Sequence, residues 1–113
     1  MSHRLAQVDE LIRLELSRLF LTEVEFPKNC LVTIIKVKTS KDLRYAKVYL
    51  SVMPEAYITK VAKALKARVG KLQFLLNKKL AMRPLPHLYF TFDDTEAQAA
   101  DLEALLDRIK KTS

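Results

Sequence analysis

The hydrophobic residues at the start of the chain recur every three or four positions, which is typical of an amphipathic helix. The pattern predicts a helix over residues 3–22. Its buried stripe is expected to be Leu5, Val8, Leu11, Ile12, Leu16, Leu19 and Phe20. Pro27 stops any helix nearby, so residues 23–30 are expected to form a connector.

Two segments then change to the alternation that is typical of strands. Within residues 31–40, the inner face is expected to carry Ile35, Val37 and Thr39, and the outer face Lys36 and Lys38. Within residues 44–53, the inner face is Ala46, Val48, Leu50 and Val52, and the outer face is Tyr45, Lys47, Tyr49 and Ser51. Only the polar turn Ser40–Leu43 lies between the segments, so we expect an antiparallel pair.

Helical periodicity returns after Pro54 and is interrupted once, by Gly70. The apolar positions are Ile58, Val61, Ala62, Leu65 and Val69 before this glycine, and Leu72, Leu75, Leu76 and Leu80 after it. Their phase differs on the two sides, and glycine costs about 1 kcal/mol relative to alanine inside a helix. We therefore predict two helices that meet at Gly70. The second ends before Pro84, because residues that precede proline avoid helical angles.

Residues 87–93 predict a third strand, with Leu88, Phe90 and Phe92 on one face. Thr95 and Gln98 have the spacing of a capping box, which predicts a last helix to about Lys111. The order is α-β-β-α-α-β plus a C-terminal helix. It favours an α+β fold with helices on one face of a three-stranded sheet. We expect one domain over residues 1–94 and an acidic C-terminal helix over residues 95–113, which packs on that domain or extends from it.

Negative charge is missing from the middle of the chain. No Asp or Glu occurs between Ala56 and Phe92. The window Lys28–Arg83 holds 14 basic and two acidic residues, whereas the rest of the chain holds 6 basic and 11 acidic. A basic middle with acidic ends indicates a protein that binds a polyanion.

The candidate RNA contacts lie mainly on the two central helices, where lysines lack carboxylate partners at helical spacing. They are Lys60, Lys63, Lys66, Arg68, Gly70, Lys71, Phe74, Lys78 and Arg83, with Lys36, Lys38 and Lys47 of the strands as a second group. If a helix begins at Gly70, its free N–H groups would hold a phosphate. Phe74 is expected either to stack on a base or to be partly buried. Tyr45 and Tyr49 are expected either to stack on RNA or to pair across the strands.

Several classes of function are disfavoured. A single glycine, Gly70, excludes a P-loop, a GxGxxG dinucleotide site and a GxSxG nucleophile elbow. Cys30 is the only cysteine, so no internal disulfide can form. No metal-ligand spacing is present, and we predict no catalytic residue, cofactor, metal or small-molecule substrate. The absence of a long apolar run or a signal segment leads us to expect a cytoplasmic protein that does not bind membranes.

The ordered motifs resemble the bacterial ribosome-binding factor A family. The matching segments cover most of residues 4–93. They are Phe26–Lys28, Leu31–Ile34 running to Ser40–Leu43, Ala46–Ser51, Gly70–Leu80, Arg83, Pro86, Leu88, Phe90 and Asp93. The chain departs from the family pattern at Arg68, Lys71, Gln73 and His87, where alanine, an aromatic residue, arginine and glutamate are usual.

The resemblance implies a type II KH-like domain in which a helix-kink-helix with an Ala-x-Gly element replaces the GxxG loop. It also implies a protein that is not an enzyme. Its expected partners are the rRNA and the free or immature small ribosomal subunit, late in assembly. Links to maturation of the 5′ end of the rRNA and to cold adaptation follow from the same resemblance. We expect a monomer.

Two other functions stay open at this point. The chain could be a different basic protein of the ribosome, either a dormancy factor or a structural ribosomal protein. From a different class, it could be a small RNA-processing nuclease that uses Asp93 or Asp94. The nuclease is disfavoured because these acids lie outside the basic region and next to a predicted helix start, where carboxylates stabilise the helix dipole.

Overall fold

The structure, a computed structural model, describes residues 2–80 and 85–92. The elements within these residues are α1 (Ser2–Glu23), β1 (Leu31–Thr39), β2 (Tyr45–Met53), a 3-10 turn (Glu55–Tyr57), α2 (Ile58–Lys79) and β3 (His87–Phe92). This order confirms the predicted α+β fold. The capping box and the helix expected up to Lys111 lie outside the described residues.

The three strands form one mixed sheet in the order β1-β2-β3. β1 and β2 are antiparallel, as the short turn between them predicts. β2 and β3 are parallel. A parallel pair needs a long crossover, and α2 supplies it. β2 is therefore central, and its residues Ala46, Val48, Leu50 and Val52 are all buried, as predicted.

The predicted inner face of β1 is confirmed at Val37 and Thr39 but is wrong at Ile35. Ile34 is 8% exposed and belongs to the core, whereas Ile35 is 42% exposed. The cause is a register shift between Ile34 and Lys36: Ile34 pairs with Leu50 and Lys36 pairs with the next residue, Tyr49. A bulge inserts one unpaired residue and reverses the alternation beyond it. Two adjacent isoleucines cannot reveal which of them faces inward.

Both helices pack on the same face of the sheet and enclose one core. Every predicted stripe residue of α1 from Val8 onward is buried except Leu11, which is 49% exposed. The prediction for Leu11 is therefore wrong, because the neighbouring Ile12 takes the inward position. The carboxylate of Asp9 also accepts a hydrogen bond of 2.8 Å from the backbone N–H of Thr39, which joins α1 to the end of β1.

The predicted break at Gly70 is wrong, because α2 continues through it from Ile58 to Lys79. Its buried residues form one stripe, which is Val61, Ala62, Leu65, Leu72 and Leu76. Leu65 and Leu72 are seven residues apart, close to two full turns of about 3.6 residues each, so the phase is kept across the glycine. Packing of this stripe on the core offsets the poor helix propensity of Gly70.

Replacing Gly70 by alanine is expected to stabilise the protein by about 0.5–1 kcal/mol. Gly70 has no positive φ, and a Cβ built on it would meet nothing within 4 Å. Urea denaturation of the wild type and Gly70→Ala measures the difference. A loss of stability in the variant would mean that the backbone at this position needs a conformation that only glycine adopts.

Candidate nucleic-acid interface

Helix α2 presents one long polar surface on the side opposite its buried stripe. We call this surface the helix face. It consists of Lys60, Lys63, Lys66, Gly70, Lys71, Phe74 and Lys78, all exposed. From Lys60 to Lys78 it spans about 27 Å, at about 1.5 Å per residue. Every side chain of the helix face was predicted from the sequence, and the unbroken helix places them on one rigid element.

The helix face carries positive charge without local compensation. α2 contains no Asp or Glu along its 22 residues. The ion pairs found among residues 4–80 and 85–92 involve Arg13, Arg18 and Arg68, and none involves a lysine of this face. Lysines at i±3 or i±4 on a helix repel one another, and here no carboxylate neighbour offsets that repulsion. A bound polyanion would relieve that repulsion.

Phe74 lies exposed in the middle of these charges. The Phe74 residue is 55% exposed, so more than half of its surface is accessible. The Nζ of Lys78 lies 5.4 Å from the centre of the Phe74 ring, within the range of a cation–π contact. An exposed ring beside lysines can stack on a base or a ribose while the ammonium groups contact phosphates.

Arg68 lies apart from the helix face and has a different partner. Its Nε donates to the backbone carbonyl of Glu23 at 2.6 Å, and its Nη2 lies 3.0 Å from the Oε1 of Glu23. These bonds join α2 to the end of α1. The guanidinium is thus engaged within the protein, although the sequence predicted it as an RNA contact.

Gly70 belongs to the helix face, but it does not provide the free N–H groups of a helix start that the sequence predicted there. Because α2 does not begin at Gly70, the N–H groups there are not those of a helix N-terminus. The phosphate site built from helix N–H groups, Arg68 and Lys71 is therefore absent from this position. What Gly70 offers is a side-chain-free site one turn from both Lys66 and Phe74, where an RNA backbone can approach closely.

The predicted strand lysines lie on a separate surface. The outer face of the sheet, which we call the sheet face, carries Lys36, Lys38, Lys47, Tyr45, Tyr49 and Tyr89. Since both helices cover the inner face, the sheet face and the helix face point to opposite sides of the molecule. The structure thus divides the predicted RNA contacts into two groups. Arg83, also predicted, lies outside the described residues.

Aromatic rings on the sheet face pair with neighbours across the strands. Lys36 is opposite Tyr49, with its Nζ 4.7 Å from the ring centre. The rings of Tyr45 and Tyr89 are stacked with their centres 5.9 Å apart. Cross-strand pairing of Tyr45 and Tyr49 is therefore confirmed. Tyr89 was missed by the sequence analysis, although its place between the inward-facing Leu88 and Phe90 marks it as outward-facing.

Over residues 4–80 and 85–92, no cluster of three His, Cys, Asp or Glu side chains is placed to hold a metal ion. Over the same residues, neither helix has the length and apolar character needed to cross a membrane.

Comparison with known proteins assigns the chain to a family. The family model described as Ribosome-binding factor A matches residues 4–106. Ribosome-binding factor A of Thioalkalivibrio sulfidiphilus is 35% identical over 106 residues, covering 93% of this chain and 82% of that protein.

Solved structures agree with this assignment. The crystal structure of ribosome-binding factor A from Thermus thermophilus superposes with a TM-score of 0.57 at 26% identity, covering 80% of this chain and 92% of that one. A homology model of the Thermus thermophilus factor, fitted into the cryo-EM map of a 30S–RbfA complex, gives a TM-score of 0.52 at 26% identity and covers 80% of this chain and 91% of that one. The helix-and-sheet architecture, the basic α2 and these matches lead to one conclusion: the chain belongs to the ribosome-binding factor A family.

Proposed function

We propose that this protein is a non-catalytic assembly factor that binds the free or immature small ribosomal subunit through its rRNA, with the helix face of α2 as the main contact. The observation that carries this proposal is the uncompensated row of lysines around the exposed Phe74. A relative fitted into a 30S complex supports the choice of the small subunit as the partner. The protein acts in the cytoplasm as a monomer.

The chemistry of the helix face favours recognition of RNA shape over base sequence. Lysine is a flexible point charge, whereas base readout relies on bidentate groups such as arginine, asparagine and glutamine. The helix face has five lysines. Of the bidentate residues of α2 only Asn77 is exposed, and its side-chain oxygen accepts a hydrogen bond from Gln73 at 3.2 Å. Its rigid spacing fits phosphates held in a fixed arrangement by folded rRNA.

Co-sedimentation at several salt concentrations tests the proposal. The protein is mixed with free small subunits, large subunits and joined ribosomes, and the bound fraction is measured. Selective binding to free small subunits is expected, with a log–log salt slope of about −5 to −7 for about six to eight neutralised phosphates. Equal binding to all three particles and to naked RNA would contradict the proposal, since it would mean unspecific charge attraction.

Sedimentation of cell extracts separates the other ribosome-associated functions. An assembly factor leaves when the subunit is complete, so the protein should be absent from joined ribosomes in cell extracts. A structural ribosomal protein would stay on them, and a dormancy factor would accumulate on particles from resting cells. Comparing the three particle pools from growing and resting cells decides between these cases.

We also propose that the protein assists late maturation of the rRNA, including processing at its 5′ end, without cleaving RNA itself. Cells that lack the protein should accumulate small subunits with an unprocessed 5′ end, most strongly in the cold. Purified protein with magnesium should leave precursor rRNA intact. Cleavage that is lost in Asp93→Ala or Asp94→Ala would instead support the nuclease alternative.

A further inference from the structure

The sheet face places two lysines directly opposite each other. Lys38 on β1 is the register partner of Lys47 on β2, and both side chains are exposed. Like charges in directly opposed positions destabilise a sheet. Lys41, in the turn that follows β1, adds a third positive charge beside them. The repulsion would be relieved if an anion occupied the space between these ammonium groups.

An aromatic surface adjoins this positive cluster. Tyr89 on β3 is the register partner of Lys47, so Lys38, Lys47 and Tyr89 form one row across the sheet. The Tyr45 ring, which stacks on the Tyr89 ring, lies next to this row. Tyr45 is 48% exposed and Tyr89 is 44% exposed. Lysines and both rings line one open depression of about 460 Å³.

The turn at the edge of this depression is held in place by its own hydrogen bonds. The Ser40 hydroxyl donates to the Asp42 carboxylate at 2.6 Å, and the backbone N–H groups of Arg44 and Tyr45 donate to the Ser40 oxygen. The hydrogen bond from the Ser40 hydroxyl, and to a smaller extent that from the backbone N–H of Arg44, lowers the pKa of the Asp42 carboxyl. The Asp42 carboxylate therefore stays ionised and bonded within the turn, and none of the ion pairs found among the described residues joins it to a lysine.

We propose that the sheet face is a second RNA-binding site, which holds an unpaired RNA segment with one base stacked on the Tyr45–Tyr89 rings and the adjoining phosphates on Lys38, Lys41 and Lys47. The ligand class follows from the combination: rings take a flat apolar base, and ammonium groups take phosphates. Paired RNA does not fit, because its bases are already stacked within the helix.

This site extends the proposed rRNA binding but uses the opposite side of the protein. Both faces can therefore be occupied at once by RNA segments that lie on two sides of the domain. Folded rRNA would contact the helix face, and a single strand beside it would contact the sheet face. The protein would thus hold an unpaired segment at a fixed distance from a folded one.

The test measures binding of a labelled single-stranded RNA of about eight nucleotides by fluorescence anisotropy. It uses the Lys60→Glu/Lys71→Glu/Lys78→Glu protein as the background, so that the helix face contributes little. Adding Tyr45→Leu/Tyr89→Leu is expected to lower the affinity about tenfold or more. Tyr45→Phe/Tyr89→Phe keeps the rings and is expected to retain binding. Equal affinity for the leucine and phenylalanine variants would overturn the proposal.

Two other ligands separate stacking from charge. An abasic strand of the same length keeps the phosphates, so its weaker binding should not respond to the leucine substitutions. A mononucleotide should bind much more weakly than the strand, because it contacts fewer lysines. Equally tight binding of the mononucleotide would assign the depression to free nucleotides and would contradict an RNA site.

A charge variant protects the test from a folding artefact. Lys38→Gln/Lys47→Gln removes the like-charge pair, so it is expected to raise the unfolding temperature while it weakens binding of the strand. A simple loss of fold would lower both. If the strand ignores every sheet-face variant while wild type still selects small subunits, this inference fails and the proposed function stands. If the sheet-face variants act as expected but small-subunit selectivity is absent, the proposed function fails and this inference stands.

Discussion

Replacing Lys60, Lys71 and Lys78 together by glutamate is expected to weaken binding to the free small subunit by about 100- to 500-fold near 0.1 M salt. Each phosphate contact contributes about 0.7–0.9 to the log–log salt slope, so three lost contacts remove about two to three from it. The three lysines share the exposed side of α2, away from the core, so the fold should be unaffected. Titration of labelled protein with small subunits at several salt concentrations gives both quantities.

A matched control separates position from total charge. Arg4→Glu/Lys28→Glu/Arg44→Glu also takes the net charge from +7 to +1, but it changes exposed residues outside α2. This control should lose far less affinity than the α2 variant and keep most of the salt slope. Equal losses in the two variants would show that overall charge, and not the helix face, governs binding.

Truncating a single core residue of α2 should have the largest effect on stability. Leu65 is fully buried in the layer between the helices and the sheet. Leu65→Ala is expected to lower the free energy of unfolding by about 2–5 kcal/mol, because it loses transfer free energy and leaves a cavity. Guanidinium denaturation measures the change.

The chain offers a matched control for this substitution on its surface. Leu21 lies in α1 and is 85% exposed, so Leu21→Ala should change stability by less than about 0.5 kcal/mol. A loss below about 1 kcal/mol for Leu65→Ala would contradict the burial of this side of α2. The exposed position of the opposite helix face would then be in question as well.

Where hydrophobic periodicity was long and regular, the sequence predicted the structure well. The α1 helix, the antiparallel pair and the inward residues of β2 follow directly from spacing. The prediction failed where either of two neighbouring residues fitted the hydrophobic pattern. Ile34 and Ile35 are chemically alike, and only pairing with β2 decides which one is displaced by the bulge.

The wrong prediction of a helix break at Gly70 has a related cause. The low helix propensity of this glycine is local, whereas the buried stripe that carries α2 through it depends on the whole helix packing against the core. Arg68 is a further case, because its partner Glu23 lies 45 residues away in sequence. Local spacing contains no information on such a contact.

The sequence predicted which residues belong to the candidate sites, but not how those residues are grouped on the surface of the protein. Charge counting found the lysines of α2 and, as a second group, those of the strands, but it did not place the two groups on opposite sides of the molecule. Their separation onto opposite sides follows from the helices covering a single face of the sheet. Tyr89 joins Lys47 and Tyr45 only through parallel pairing of β3 with β2, which sequence spacing did not predict.

The most direct test of the helix face is ultraviolet cross-linking of the protein to free small subunits, followed by mass spectrometry of the peptides that retain a nucleotide. The account predicts cross-links to rRNA within residues 58–79, with Phe74 foremost because its ring is exposed among lysines. Tyr45 or Tyr89 would be cross-linked in addition if the sheet face is occupied. Efficient cross-linking confined to α1, with none in residues 58–79, would contradict the account.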